Sequence, residues 1–281
     1  MEIRRLDTGP LDVSPVAAGT LLTPDGAERA AWQIAEEMPV AILLNGETFA
    51  VMMMTPADIE DFAVGFALTE GIVERAGDIG GLRIAEAADG MICNMTLDPA
   101  RIEKVEGRRR TLAGRAGCGI CGAQSLEAVL PPPRRVARRG PLPDRAALLE
   151  AFDALPAAQV MKQVNKTTHA AAFRDGARGG LLVREDIGRH NALDKLAGAL
   201  ARDGRDAADG FILLSSRVSV EMVQKAAAIG APLVAAVSAP SALALRLAAR
   251  AGLVLACRAG RDIMIFDETA LAAPLREDRT P

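Results

Sequence analysis

Between residues 39 and 54 the apolar side chains form two short runs, Pro39 to Leu44 and Phe49 to Met54, on either side of Asn45-Gly46. Asn and Gly tolerate positive φ, so this pattern predicts a tight β-hairpin. The period then changes. Thr55-Pro56-Ala57-Asp58 offers an N-cap, a first-turn proline and a capping-box acid, and Ile59, Phe62, Ala63, Phe66 and Ala67 come after it at helical spacing until Gly71. The expected product is an amphipathic helix packed on the hairpin. Met91 to Leu97 reads as another strand, and the basic, glycine-punctuated stretch from Arg101 to Gly117 as a mobile lead-in to a pair of cysteines.

Pro131 to Pro141 carries four prolines and four arginines and predicts an exposed linker. Beyond a helix around Asp144 to Leu155, strand and helix patterns alternate. Strands are expected at Gly180–Arg184, Phe211–Leu214, Leu233–Val237 and Leu253–Ala256, and helices at about Asn191–Ala201, Ser219–Ile229 and Ser241–Ala251. This alternation predicts a three-layer α/β sandwich with largely parallel strands. The chain is thereby divided into an extension (1–38), an α+β portion rich in β (39–140) and an α/β portion (141–281).

Half of the 281 residues are apolar, enough to bury a sizeable core. One Trp and no Tyr leave no platform for base stacking, and a net charge of −3 argues against a general nucleic-acid binder. The arginines cluster, however, at Arg108–Arg110, Arg115, Arg134–Arg135 and Arg138–Arg139, which suits a local site for an anion. No uninterrupted apolar stretch reaches the ~18 residues of a membrane span, and no secretory h-region comes after Met1, so a cytoplasmic protein is expected. In a reducing compartment the four cysteines, Cys93, Cys118, Cys121 and Cys257, are free thiols, ligands or catalysts instead of structural disulfides.

Gly117-Cys118-Gly119-Ile120-Cys121-Gly122 places two thiols three positions apart on approachable backbone. Upstream arginines and an ensuing helix from about Ala123 would favour thiolate. The motif alone leaves zinc, redox and persulfide chemistry open. Structural zinc needs four ligands, and Cys93, Cys257, His169 and His190 stand singly; a zinc deaminase would need an H-x-E segment, which neither histidine supplies. Arg184 to Lys195 packs charged, amide and imidazole groups into a strand-to-helix turn, where His190 and Asn191 are candidates for a ligand site. Asp194 and Lys195 equally suit an ordinary exposed ion pair. Ser215-Ser216-Arg217 and Val237 to Ser241 lead from strand ends into helix N-termini, where free N–H groups attract phosphate, while Ser219 and Ser241 can serve as N-caps. Ala256-Cys257-Arg258-Ala259-Gly260-Arg261 adds two cations after another strand, with Cys257 and Cys93 suited to burial as small hydrophobes.

Taken in order, the hairpin with Thr55-Pro56, Val64-Gly65-Phe66, Glu70-Gly71-Ile72, the Cys118/Cys121 loop, His169-Ala170-Ala171, Glu185-Asp186-Ile187-Gly188-Arg189-His190-Asn191-Ala192, Arg217-Val218-Ser219 and Ser238-Ala239-Pro240 resemble the formate dehydrogenase accessory sulfurtransferases, the FdhD/NarQ family, from about residue 40 to 266. The resemblance implies a homodimer with a fold similar to the cytidine deaminases. It implies that sulfur comes from a cysteine desulfurase, rests as a persulfide on Cys118 with help from Cys121, and passes to a molybdenum bis(molybdopterin guanine dinucleotide) cofactor destined for formate dehydrogenase. It also implies that Ala256 to Arg261, Ser215, Ser216, Arg217 and His190 bind that cofactor, with GDP as an analogue, and that no nucleic acid, membrane or resident metal is involved. Lys166-Thr167-Thr168 before His169, Ser216 and Ser241 depart from the family pattern. A guanine-nucleotide chaperone and a zinc-binding regulator are the readings from other classes.

Overall fold

A computed structural model describes residues 1–6, 11–103, 132–137, 140–176, 179–267 and 270. Cys118, Cys121, the basic lead-in beyond Glu103 and the helix expected from Ala123 lie outside them. Strands β1 (Glu2–Leu6), β4 (Met38–Leu44), β5 (Glu47–Met54), β6 (Gly81–Ala87) and β7 (Gly90–Thr96) form one sheet in the order β1-β6-β7-β4-β5. The β4–β5 hairpin turns at Asn45-Gly46 with φ of 49° and 90°, as its sequence requires. Helix α1 (Ile59–Thr69) covers one face of this sheet. Phe62 and Phe66 pack against Val40, Ile42, Ile84, Met91, Cys93 and Met95, all of them buried. Residues 1–38, expected as an extension, supply β1 to the edge of this sheet and a separate ribbon of β2 (Val16–Thr23) and β3 (Gly26–Gln33).

The second sheet runs β13-β12-β11-β10-β8-β9, from β8 (His169–Asp175), β9 (Leu181–Asp186), β10 (Gly210–Leu214), β11 (Leu233–Ala236), β12 (Val254–Ala259) and β13 (Asp262–Phe266). In it β10–β11 and β11–β12 pair parallel, whereas β8–β9, β8–β10 and β12–β13 pair antiparallel. The expectation of largely parallel strands is therefore corrected to a mixed sheet. The reason is local: β9 comes too soon after β8 for a crossover helix, and β12 returns directly into β13 through Gly260 at φ 63°. Alternate side chains serve two cores. Phe211, Leu213, Leu233 and Ala235 face α2 (Arg145–Ala158), while Ile212, Leu214, Val234 and Leu255 face α4 (Arg189–Arg202), α5 (Val220–Ala228) and α6 (Ala242–Ala251). A short helix, α3 (Val160–Asn165), comes after α2. Residues 132–137 are irregular, and Val136 N–H donates to the Ala251 carbonyl across 2.7 Å, so this part of the expected linker lies against the end of α6.

The two halves meet where α1 crosses α4. A Cβ on Gly65 would stand 1.7 Å from the Asp194 carbonyl oxygen, and one on Gly198 would stand 1.8 Å from that of Asp61. Backbone touches backbone at this crossing. Gly65→Ala and Gly198→Ala are each expected to cost about 3 kcal/mol or more, because rigid carbonyls cannot yield as a side-chain tip can. Gly19→Ala, with open space around its Cβ, is the control. Urea midpoints for the three variants check this, and equal midpoints would contradict the close approach.

Candidate functional site

At one edge of the six-stranded sheet lie the carboxyl ends of β9, β10, β11 and β12. The register makes Arg184, Ala171, Leu214, Ala236 and Cys257 one transverse row. Beyond that row stand His169, Asp186 to His190, Ser215 to Arg217, Val237-Ser238 and Arg258. The N-termini of α4, α5 and α6 open on the same edge, since each comes directly after one of these strands. Open-sheet ligands bind at such edges, and the helix N-termini gathered there make this one attractive to anions.

Much of the charge near the edge is committed to the fold. Asp186 and Lys195, both fully buried, pair across 2.6 Å. Asp186 also accepts from the N–H groups of Thr55 and Gly188 and from Asn191, while Lys195 donates to the carbonyls of Thr55 and Glu185. Thr55 was expected to cap α1. Its hydroxyl instead accepts from Ile187 N–H across 3.1 Å, and Asp58, in the left-handed region with φ 51°, precedes the helix without a side-chain cap. Asn191, a sequence candidate for the ligand site, donates to Met53 and Asp186 and is buried in the same network. A second cluster joins Lys225 to Asp194 (2.9 Å), Glu70 (2.7 Å) and Thr69 (3.1 Å). Burial works against the Lys225 charge, but Asp194 and Glu70 outweigh it and raise its pKa, so the ammonium persists. In a third, Asp61 holds Arg184 at 2.7 Å and also Arg202. Asp194 and Lys195 are thus interior struts instead of an exposed pair. Glu185 caps α3, accepting from the N–H groups of Met161 and Lys162.

Other polar groups here are buried without a hydrogen-bond partner among the described residues: His169 Nδ1, Arg189 Nε, His190 Nε2, Ser219 Oγ and Gln224 Nε2. Buried polar atoms are seldom left so. His190 Nε2 lies 3.9 Å from Glu221 Oε2, close enough for charge attraction and too far for a hydrogen bond. Glu221 is held down at about 2, by His190 first and by the nearby Ser219 hydroxyl, against the effect of burial. Burial pushes the His169 imidazole below its ordinary value, and the positive charges of Lys162 and Arg189 add to that. Sequence reasoning missed Arg189 and the unpaired state of His169. The available signal for Arg189 was a cation in the first turn of a helix, where the dipole disfavours it.

The predicted residues separate into three groups. Ser215, Ser216, Arg217 and His190 gather at the edge. The Ser215 hydroxyl accepts from Ala170 N–H (2.8 Å), that of Ser216 donates to the Arg217 carbonyl (3.1 Å), and Arg217 is exposed. Ala256 is fully buried beneath α2 and Cys257 nearly so. Arg258, Ala259, Gly260 and Arg261 form the β12–β13 turn, with Arg258 paired to Asp153 of α2 at 2.7 Å and Arg261 exposed. Ser241 caps α6 by accepting from Ala244 N–H, as expected, whereas the Ser219 hydroxyl makes no cap bond on α5. Cys93 is pushed up to about 12 by burial, with Glu60 adding, and burial also raises Cys257.

The model of the FdhD/NarQ family matches residues 35–269. Among curated proteins, the sulfur carrier protein FdhD of Bordetella petrii is 46% identical over 210 residues, 75% of each chain. That of Xanthomonas euvesicatoria is 50% identical over 202 residues, 72% of each. That of Cupriavidus necator is 47% identical over 222 residues, covering 76% of this chain and 72% of its own. A crystal structure from Desulfotalea psychrophila, provisionally given as a formate dehydrogenase accessory protein, shares the fold with a TM-score of 0.68. Its identity is 22%, over 91% of this chain and 97% of that one.

Breaking the Asp186–Lys195 pair from one side leaves a buried charge alone, so Lys195→Met is expected to cost about 3–5 kcal/mol. The paired change Asp186→Asn with Lys195→Met should recover part of that. Denaturant unfolding of the two variants checks the order, and a Lys195→Met protein as stable as wild type would show that the pair is not a strut.

Proposed function

Since the chain belongs to the FdhD/NarQ family, we propose that it carries sulfur, accepting it from a cysteine desulfurase as a persulfide and delivering it to a molybdenum bis(molybdopterin guanine dinucleotide) cofactor for formate dehydrogenase. One observation carries most weight within the molecule. Of four cysteines, Cys93 and Cys257 are withdrawn into the core and their thiols resist ionisation, which leaves the carrier role to Cys118 and Cys121. The attacking species is thiolate. Cys118 sulfur would attack the outer sulfur of the donor persulfide, the donor S–S bond would break, and the donor would leave as thiolate while Cys118 keeps the transferred sulfur. Cys121 would be placed to assist by exchange.

The edge of the second sheet is the place this reading gives to the cofactor, which is the substrate here. A guanine dinucleotide presents diphosphates, and the exposed Arg217 with the helix N-termini of α4, α5 and α6 offers a cation and N–H donors for them. Arg258 would have to leave Asp153 to join them, while Arg261 is exposed. A chaperone that only held the nucleotide would use the same edge and would have no need of Cys118.

Incubation with a desulfurase and cysteine is expected to place a persulfide on wild-type protein and on Cys93→Ala, to leave Cys118→Ala unlabelled, and to leave Cys121→Ala partly active. Iodoacetamide at pH 8 should alkylate Cys118 and Cys121 in the folded protein and spare Cys93. Persulfide formation on Cys118→Ala at the wild-type level would remove the assignment. For the ligand, each lost charge-assisted phosphate contact should cost about ten- to a hundredfold in affinity. Calorimetry with GDP on Arg217→Ala, Arg258→Ala, Arg261→Ala, singly and combined, checks this, and unchanged affinity in the triple variant would exclude these side chains.

A further inference from the structure

We propose that the β2–β3 ribbon is an arm that binds a second copy of this chain, the outer edge of β2 pairing antiparallel with the same edge of the copy about a two-fold axis at Gly19. The ribbon lies ahead of residue 35, where the family match begins, and the proposal does not depend on the sulfur-carrier reading.

Among the described residues, the polar contacts that tie the ribbon to its own chain lie at one end of it. Ile34 N–H donates to the Pro15 carbonyl (3.0 Å), Asn165 Nδ2 donates to the Ser14 hydroxyl (3.2 Å), and Lys166 Nζ stands 5.1 Å from the centre of the Trp32 ring. From this base the paired strands run from Val16↔Gln33 out to Thr23↔Gly26, a reach of about 26 Å. Neither strand pairs with a third among the described residues, and a hairpin of two strands is marginal by itself in water.

Natural sheet edges are kept from pairing by charge, proline or cover. Strand β3 carries Glu28 and Arg29. Strand β2, Val16-Ala17-Ala18-Gly19-Thr20-Leu21-Leu22-Thr23, has neither charge nor proline along its length. Such an edge is a template for another strand.

The register of the hairpin selects which strand. Val16, Ala18, Thr20 and Leu22 share one face of the ribbon, with Val16 69% and Leu22 79% exposed, one at each end. Antiparallel pairing of β2 with its copy about Gly19 sets Val16 against Leu22 of the partner subunit and Ala18 against Thr20 of the partner subunit. On the opposite face it sets Ala17 against Leu21 of the partner subunit. The two most exposed aliphatic side chains of the ribbon thereby cover each other, twice by symmetry. Moving the axis to Ala18 or to Thr20 leaves Leu22 or Val16 beyond the end of the opposing strand. A Cβ at Gly19 would meet nothing within 4 Å, so the axis falls where the strand is unobstructed.

Cysteine cross-linking of the full chain, in a Cys118→Ala, Cys121→Ala background, tests the axis. Opposed Cα atoms in an antiparallel pair stand about 4.5–5.5 Å apart, within the span of a disulfide. Gly19→Cys should therefore give a covalent dimer with diamide. Leu22→Cys, whose two copies would stand roughly 20 Å apart across the axis, should not. The double variant Val16→Cys, Leu22→Cys should cross-link again. Light scattering supplies the second readout: Leu22→Lys should halve the molar mass found for wild type at equal concentration, whatever other contact the copies make. Its circular dichroism should be unchanged, since Leu22 packs in none of the cores. Should Leu22→Lys fold poorly, Val16→Lys replaces it. Failure of Gly19→Cys to cross-link, equal cross-linking by Leu22→Cys, or a molar mass that lysine at these positions leaves unchanged overturns the proposal. A wild type that stays monomeric, the result expected if a different protein covers the ribbon, overturns it too.

Discussion

Everything at the candidate site hangs on the crossing of α1 and α4, where Gly65 and Gly198 let two backbones touch. Apolar packing joins the helices to their own sheets, but direction and register come from the polar ties beside the crossing. Thr55 is gripped from three sides by Asp186, Ile187 and Lys195, which locks the end of β5 to the β9–α4 turn. Asp194 and Lys225 then bind the second turn of α4 to α5 and to the end of α1. A buried pair of this kind gives little net stability over an apolar substitute. What it contributes here is placement, since each carboxylate has its remaining lone pairs satisfied in a single arrangement.

That arrangement explains which parts were legible in sequence. The β4–β5 hairpin could be read because Asn45-Gly46 admits one kind of turn, and the helices of the second half because their apolar period is regular. Strand β8 was missed. His169-Ala170-Ala171-Ala172-Phe173 has no β-branched side chain, and the segment is a strand because β9 and β10 pair with both its edges. The β2–β3 ribbon was missed for another reason: its alternation is carried by small and exposed residues, leaving no apolar face to detect. Antiparallel pairing of β8 and β13 could not be deduced from a strand-helix alternation, because it depends on two connections that contain no helix.

The site divides in the same way. Ser215 to Arg217 and His190 could be placed at the sheet edge from the sequence because polar groups at strand ends carry a general expectation. Asp194 and Lys195 could not be assigned from adjacency, because neighbours along a helix face different partners. Asp194 turns to Lys225, while Lys195 turns to Asp186. Thr55 fitted every rule for an N-cap, yet the Ile187 N–H, 132 residues away in sequence, claimed its hydroxyl oxygen. Tertiary contacts override a capping preference worth about 1 kcal/mol whenever a backbone N–H elsewhere in the fold needs the same acceptor.

A net charge of −3 would by itself disfavour an anionic ligand, and the disposition of the charges shows why it does not do so here. Asp61, Asp186 and Asp194 are consumed inside the fold by Arg184, Arg202, Lys195 and Lys225. Because these acids are neutralised within a few ångströms, they contribute little potential at the sheet edge, where Arg217 is exposed and Arg189 Nε has no hydrogen-bond partner among the described residues. The same pairs that fix α4 against α1 and α5 thereby leave the edge electropositive. Fold and site are coupled through this allocation: a substitution that freed Asp186 or Asp194 would loosen the crossing and also bring a carboxylate's field to bear on the sheet edge.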